Sequence, residues 1–398
     1  MRCTNNEIQK NKMNNSLLMP RKIVILHNII SPYKTLLFNA LHEAYDNFKV
    51  LYISESERRR EWVIDTNELK FPYEIMFPVP TDEVHSVLLF RKTWMCLNAL
   101  NPEILIIGGY SYTSSWAGLF WAKKNKRKII LWSSSNEDDH RRVFYKEFVK
   151  ILFVRNCDAY NVYGTKSRDY LSKLGAKEDK IFIVGNNTDN DFYYNETAKW
   201  RRVRDHLIKE FGIPKKNFLY IGRFSEEKNI FFMLDAFKQA VGDNKGWGMI
   251  LIGNGPQKGE VEHYIKKFNL ENVFMPGFQQ KEEIPQYLAV SDVFILPSIS
   301  ETWGLVVNEA MAAGLPVLVS RKCGCYPDIV KDGENGFSFD PFDKDELVGL
   351  MKGIIDDKVD LKKMGENSLK IIKNYTPERA AGIIVKTAAE VVHHVAYK

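Results

Sequence analysis

Asn217-Phe-Leu-Tyr-Ile221, the turn Gly222-Arg223 and the helix-forming run Ile230–Val241 decide the fold. The strand is apolar without alternation, as burial on both faces requires, and Gly222 relaxes the turn that follows it. The same unit repeats downstream. Strands are expected at Met249–Ile252, Val273–Met275, Val293–Leu296 and Pro316–Val319, and helices at Gln257–Phe268, Glu282–Ala289 and Val306–Ala313. Upstream, Lys22–Leu26 opens an earlier round of the same alternation. Ser31-Pro32 then starts a helix through Lys34–Ala44, with Ser as N-cap and Pro at the first helical position. Further strands follow at Val50–Ile53, Glu103–Ile107, Lys128–Trp132, Ala159–Val162 and Ile181–Val184. Helices are expected at Ser114–Lys124, Arg141–Arg155 and Ser167–Leu174. The Arg-rich stretch Asn195–Glu210, poor in strand formers, is the expected junction. The pattern predicts an α/β chain of two Rossmann-like, doubly wound domains, with a ligand cleft between the carboxyl ends of two parallel sheets.

Length and composition agree. A chain of 398 residues exceeds one ordinary core, and its 45% apolar and 27% charged residues exclude a disordered or fibrous class. No stretch approaches the roughly 20 uncharged apolar residues of a membrane span. Residues 1–20 are polar and read as a frayed leader, not a secretory signal. Five cysteines match neither a zinc site nor a Cys-x-x-Cys pair, which predicts free thiols in a reducing cytoplasm and a tight turn at Cys323-Gly-Cys325. Residues 1–200 carry 29 Lys and Arg against 23 Asp and Glu, so the net charge of +6 lies in the first half. That half therefore suits an anionic partner, a phosphorylated acceptor or a membrane surface, although solubility alone accounts for so small a charge nearly as well.

Chemistry concentrates in two segments. In Ser298-Ile-Ser-Glu301-Thr-Trp-Gly304-Leu305-Val-Val-Asn-Glu309-Ala-Met-Ala-Ala-Gly314-Leu-Pro316, Glu301 falls on a loop at the sheet edge and Glu309 in the second turn of the next helix. The amides of Trp303, Gly304 and Leu305 open that helix and suit a phosphate. Two carboxylates flanking an anion-ready helix start fit a ligand with both hydroxyls and phosphate. A lone Glu on a helix is ordinarily just solvated, but the Ala-Met-Ala-Ala that follows Glu309 makes a solvated role less comfortable. In Gly222-Arg223-Phe-Ser-Glu-Glu-Lys228-Asn229, two cations come to the same edge. The helix dipole there disfavours cations, so they call for an anion.

Together these segments resemble the retaining glycosyltransferases of the GT-B fold, specifically glycosyltransferase family 4. The resemblance rests on Glu301 and Glu309 with seven residues between them, Glu-Ala-Met-Ala-Ala-Gly-Leu-Pro around the second, Gly222-Arg223 with Lys228-Asn229, Gly253-Asn254-Gly255-Pro256 and Pro276-Gly277-Phe278. It covers about residues 217–340. Gly185-Asn186-Asn-Thr-Asp189 looks like the family's loop closing the first domain. The resemblance implies an acceptor-binding domain at 21–200, a donor-binding domain at 201–375 and a C-terminal helix, 376–398, packing back on the first domain. It implies a hexosyltransferase that moves a sugar from a UDP- or GDP-sugar to a glycan or lipid-linked acceptor, retaining anomeric configuration. Surface polysaccharide or glycolipid synthesis on the inner face of a membrane is the implied setting, with no metal and no cofactor. Arg223 and Lys228 would hold the diphosphate, Glu309 the ribose hydroxyls and Glu301 the sugar. The amides at Gly304 and Leu305 would support the distal phosphate, and Asn254 and Phe278 would line the base pocket.

The chain departs from the pattern in two places. His27-Asn28-Ile-Ile-Ser31-Pro32-Tyr33 replaces the family's glycine pair, and Ser133-Ser-Ser-Asn136 follows Trp132 where many members carry a His. His27 and His140 are expected to be structural or solvated. Asp189-x-Asp191 has the form of a manganese motif but is expected to be incidental in a domain-closing loop. Arg58–Arg60 and Lys123–Lys128 lack the interleaved aromatics of nucleic-acid binders and are expected on a basic surface. Phe144–Arg155 is amphipathic, either packing on the first sheet or touching anionic lipid. The alternative activity is a nucleotide-sugar epimerase of the same architecture.

Overall fold

A computed structural model describes residues 22–57, 66–138 and 144–393. The leader at 1–20, the Arg58–Arg60 run, His140 and the expected helix start at Arg141 lie outside these residues. The first lobe runs β1 (Ile23–His27), α1 (Pro32–Ala44), β2 (Phe48–Ser54), β3 (Tyr73–Phe77), α2 (Ser86–Leu100), β4 (Ile104–Gly108), α3 (Thr113–Lys124), β5 (Lys128–Ser133), α4 (Phe144–Val154), β6 (Ala159–Val162), α5 (Thr165–Lys173) and β7 (Ile181–Ile183). Its seven parallel strands stand in the order β3-β2-β1-β4-β5-β6-β7.

Two helices, α6 (Asn190–Arg201) and α7 (Arg204–Phe211), lead into the second lobe. There β8 (Lys216–Ile221), α8 (Ile230–Val241), β9 (Trp247–Ile252), α9 (Lys258–Lys267), β10 (Val273–Gly277), α10 (Ile284–Val290), β11 (Val293–Leu296), α11 (Leu305–Ala312), β12 (Val317–Ser320) and β13 (Gly336–Phe339) follow. Three helices close the chain, α12 (Lys344–Ile355), α13 (Leu361–Ile372) and α14 (Pro377–His393). The six strands of this sheet are parallel, in the order β10-β9-β8-β11-β12-β13. Strand order reverses beside β1 in one sheet and beside β8 in the other. Both reversals open a crevice at the carboxyl edge, the place where doubly wound sheets generally bind ligands.

Helices cover both faces of each sheet, so central strands such as Val24–Leu26 and Met249–Ile252 are fully buried. Both sheets conform to two doubly wound domains. The expected junction differs in form: Asn195–Glu210 is helical, divided between α6 and α7. Asp189 caps α6 by accepting from the Phe192 amide at 3.0 Å, and Gly212, at φ +63°, ends α7. Charged residues on helices that face solvent need no strand propensity, which explains the composition of this stretch. Side chains change cores between Val184, in the first lobe, and Tyr193, in the second. At the other end α14 crosses back: Ala380, Ala381, Ile384 and Ala388 pack into the first-lobe core with Phe38 and Trp132, and the Thr387 hydroxyl donates to Asn161 at 2.9 Å. Among the described residues, no helix is long and apolar enough to cross a membrane.

Candidate active site

The cleft begins where β8 and β9 end. Gly222 donates its amide to Ile252 O at 3.0 Å, and Phe224 to Asn254 O at 2.8 Å, so the two turns run against each other. A Cβ on Gly253, at φ +150°, would stand 1.9 Å from Gly222 O, so only glycine permits this approach. The crossing presents Arg223 outward; among the described residues its guanidinium has no hydrogen bond or ion pair, and it lies exposed on the cleft wall.

A loop leaves β11 and carries Glu301. It is held on three sides: Ile299 N donates to Glu227 O at 2.9 Å, Gly324 N to Glu301 O at 2.9 Å, and Asn136 Nδ2, from the first lobe, to Glu301 O at 3.3 Å. Gly304, at φ +92°, turns the chain into α11, where a Cβ would lie 2.8 Å from Leu296 Cδ2. The Glu301 carboxylate is ion-paired with Lys228, both side chains being mostly buried. The two residues expected to hold diphosphate and sugar are thus each other's partners here. Cys323 and Cys325 sit in the tight turn behind the loop, fully buried, and burial pushes both thiols up.

Glu309 is 2% exposed, so the helix position that sequence reasoning singled out is inside the molecule. The Tyr33 hydroxyl of the first lobe donates to Glu309 Oε1 at 2.8 Å, and Tyr193 of α6 is its second hydroxyl partner. Burial pushes the carboxyl up to about 7, while the two tyrosines and the Lys281 charge oppose the rise. Beside it, Trp303 Nε1 donates to Asn308 Oδ1 at 2.8 Å and Asn308 Nδ2 to Asn186 O at 2.9 Å, fastening the 185–189 loop to α11.

Several of these groups border a cleft of ≈ 1290 Å³ between the lobes. Gly222, Arg223, Asn254, Phe278 and Glu309 line it, together with Tyr33, Tyr193 and Lys281. Lys228, Glu301, Gly304 and Leu305 lie beyond that lining, around the start of α11. The lobes are clasped at one end of the seam. Asp328 accepts from the Thr165 amide at 2.9 Å and hydroxyl at 2.8 Å, and Asp138 bridges Lys166 at 3.1 Å and Lys322 at 2.8 Å. Asp189, half of the Asp-x-Asp motif, serves as a helix cap and lies 3.4 Å from Lys281. His27 is packed edge-on against Phe38 and Tyr52, and burial, with the Lys34 charge, pushes its imidazole down to about 3. Tyr33, Tyr193, Lys281 and the Thr165–Asp328 clasp were missed by sequence reasoning. Only Tyr33 lies in a segment that drew attention, through its departure from the glycine pair.

Residues 203–371 match the family model described as glycosyl transferases group 1. The match takes in Arg223, Lys228, Glu301 and Glu309 and stops short of α14. Among curated proteins, the chain is 33% identical to the sulfoquinovosyl transferase of Arabidopsis thaliana over 212 residues, which is 52% of this chain and 39% of that protein. It is 28% identical to the alpha-monoglucosyldiacylglycerol synthase of Acholeplasma laidlawii over 230 residues, 57% of this chain and 56% of that one. The chain thus spans about half the length of these relatives. Among solved structures, the Anabaena protein Alr3699/HepE in complex with UDP superimposes with a TM-score of 0.74 and 18% identity, covering 93% of this chain and all of the other. That likeness carries the fold: the two lobes have the GT-B architecture.

Proposed function

We propose that this chain is a glycosyltransferase that takes a sugar from a UDP- or GDP-sugar and passes it, with retention and without a metal, to a glycan or lipid-linked acceptor. The observation that carries the reading is the convergence, within the segment matching the group 1 model, of unpaired Arg223 and buried Glu309 on one cleft, with the Lys228–Glu301 pair beside it. Glycosyl transfer passes through an oxocarbenium-like state while the leaving diphosphate gains charge. Arg223, Lys228 and the amides at Gly304 and Leu305 answer the diphosphate; Glu301, released when Lys228 turns to phosphate, answers the sugar. The leaving phosphate itself helps to deprotonate the acceptor. Asn254 and Phe278 border the base. No step in this scheme needs a metal, because the cations are supplied by side chains.

Radiolabelled UDP-, GDP- and ADP-sugars, each incubated with the protein in excess EDTA, test this directly. Transfer or slow hydrolysis of one donor is expected. Epimerised sugar, or activity that appears only when manganese is added, would contradict it.

We also assign the acceptor side to a membrane surface on the cytoplasmic face. Along α4, Phe144, Phe148 and Leu152 form one stripe, flanked by Tyr145 and Val149, and all five are exposed, Phe144 by 90%. Only Phe153 and Val154 of this helix are fully buried. Trp116 of the neighbouring α3 packs edge-on against Phe153 of α4 and touches the exposed Phe120, and α4 itself carries the exposed Lys146 between Tyr145 and Phe148. An apolar stripe with a cation beside it suits anionic lipid. Phe148→Asp/Leu152→Asp should reduce cosedimentation with phosphatidylglycerol vesicles about tenfold or more, with little change in thermal stability. Equal recovery of variant and wild type with the vesicles would contradict the assignment.

A further inference from the structure

We infer that Tyr33 is a donor-site residue lent by the first lobe, its hydroxyl occupying on Glu309 the place that a ribose hydroxyl takes when nucleotide binds. The inference rests on the proposed reading and adds a residue to it. Tyr33 and Glu309 are 276 residues apart and belong to different lobes, yet they meet at 2.8 Å on the wall of the cleft. Glu309 is buried, so its carboxyl must find donors within the protein or in a ligand. Tyr193, itself 1% exposed, supplies one donor from the second lobe, and Tyr33 supplies another across the seam.

Tyr33 is well placed to yield. It stands one residue after Pro32, in the first turn of α1, where the helix enters from the 28–31 loop. Behind it, α1 packs in the first-lobe core with α14, the helix that returns from the second lobe. A ribose hydroxyl arriving at Glu309 exchanges one hydrogen bond for another, so the net gain is smaller than on an empty carboxylate. A nucleotide lacking ribose hydroxyls cannot make the exchange and leaves the tyrosine in place. Tyr33 would therefore set the affinity for ribonucleotides alone, and its release would transmit donor binding to α1 and α14.

Calorimetry with UDP and GDP, and with their 2′,3′-dideoxy forms, tests this on wild type, Tyr33→Phe and Glu309→Ala. Tyr33→Phe should bind whichever ribonucleotide wild type binds about five- to tenfold more tightly, the value of roughly one hydrogen bond. It should show no gain for the dideoxy form. A strut that merely joins the lobes would shift both forms together. Weaker or unchanged ribonucleotide binding by Tyr33→Phe overturns the inference but leaves the donor reading standing, provided wild type binds and Glu309→Ala does not. No binding by any folded variant would overturn the donor reading itself. Thermal melting of Tyr33→Phe, which loses one oxygen atom, monitors folding.

Discussion

Replacing Glu309 with glutamine is expected to stabilise the nucleotide-free protein above pH 7 while weakening nucleotide binding about 10- to 100-fold. The two effects share one cause. Burial raises this carboxyl from 4.5 to about 7, so the folded chain holds a proton that the unfolded chain has released. For an acid with a raised folded value, stability is lost as pH climbs between those two values. The shift corresponds to about 3 kcal/mol of stability surrendered by pH 8. Glutamine has no charge to bury and escapes the loss, yet it accepts ribose hydroxyls far less strongly than a carboxylate does. Urea unfolding of both proteins from pH 4 to 8 should show the wild-type decline and a flatter line for the variant. A variant less stable than wild type at pH 8, with nucleotide affinity intact, would show that the carboxylate serves the fold and not the ligand.

Lys228→Ala should lower turnover by roughly 10²- to 10³-fold, the usual effect of deleting one group that stabilises charge developing in a transition state. Binding of the nucleoside diphosphate should fall much less, because Arg223 and the start of α11 remain. Lys228 is ion-paired with Glu301, and under the proposed function it would turn to the departing diphosphate. Alanine removes both services and leaves Glu301 negative and largely buried beside the reacting sugar. Lys228→Arg should recover part of the rate, limited by the different shape of the guanidinium. Turnover is measured on the donor found with the labelled panel, with thermal melting to monitor folding. Rates within threefold of wild type would remove Lys228 from the site.

Much of this architecture was legible because both sheets are parallel and covered on two faces. Such strands are mostly apolar runs, and Val293–Leu296 was recognisable to the residue, as was Ala159–Val162 despite its single polar residue, Asn161. Edge strands obey no such rule. β3, Tyr-Glu-Ile-Met-Phe, is only partly buried and breaks the run with Glu74, while β13 is four residues opening on Gly336. Both went unrecognised. The charged stretch at the junction hid two helices because helices that face solvent tolerate the same composition as a linker.

The site divides in the same way. Groups held by local sequence were legible: Gly222-Arg223 lies at a strand end and Gly304 at a helix start, so their neighbours dictate their geometry. Groups defined across the seam were not. Tyr33 meets Glu309, and Thr165 meets Asp328, only after both lobes have folded and docked. No local pattern records such a meeting. Lys228 and Glu301 show the intermediate case, where residue types and sheet edge were readable but their ion pair with each other was not.

One cleft is expected to hold a nucleoside diphosphate by its phosphates and its ribose at once. A crystal structure with bound UDP or GDP tests it most directly. Phosphate oxygens are expected within hydrogen-bonding distance of Arg223 and Lys228, ribose hydroxyls on Glu309, and Lys228 drawn away from Glu301. A nucleotide bound elsewhere, or one in the cleft with its ribose turned away from Glu309, would contradict it.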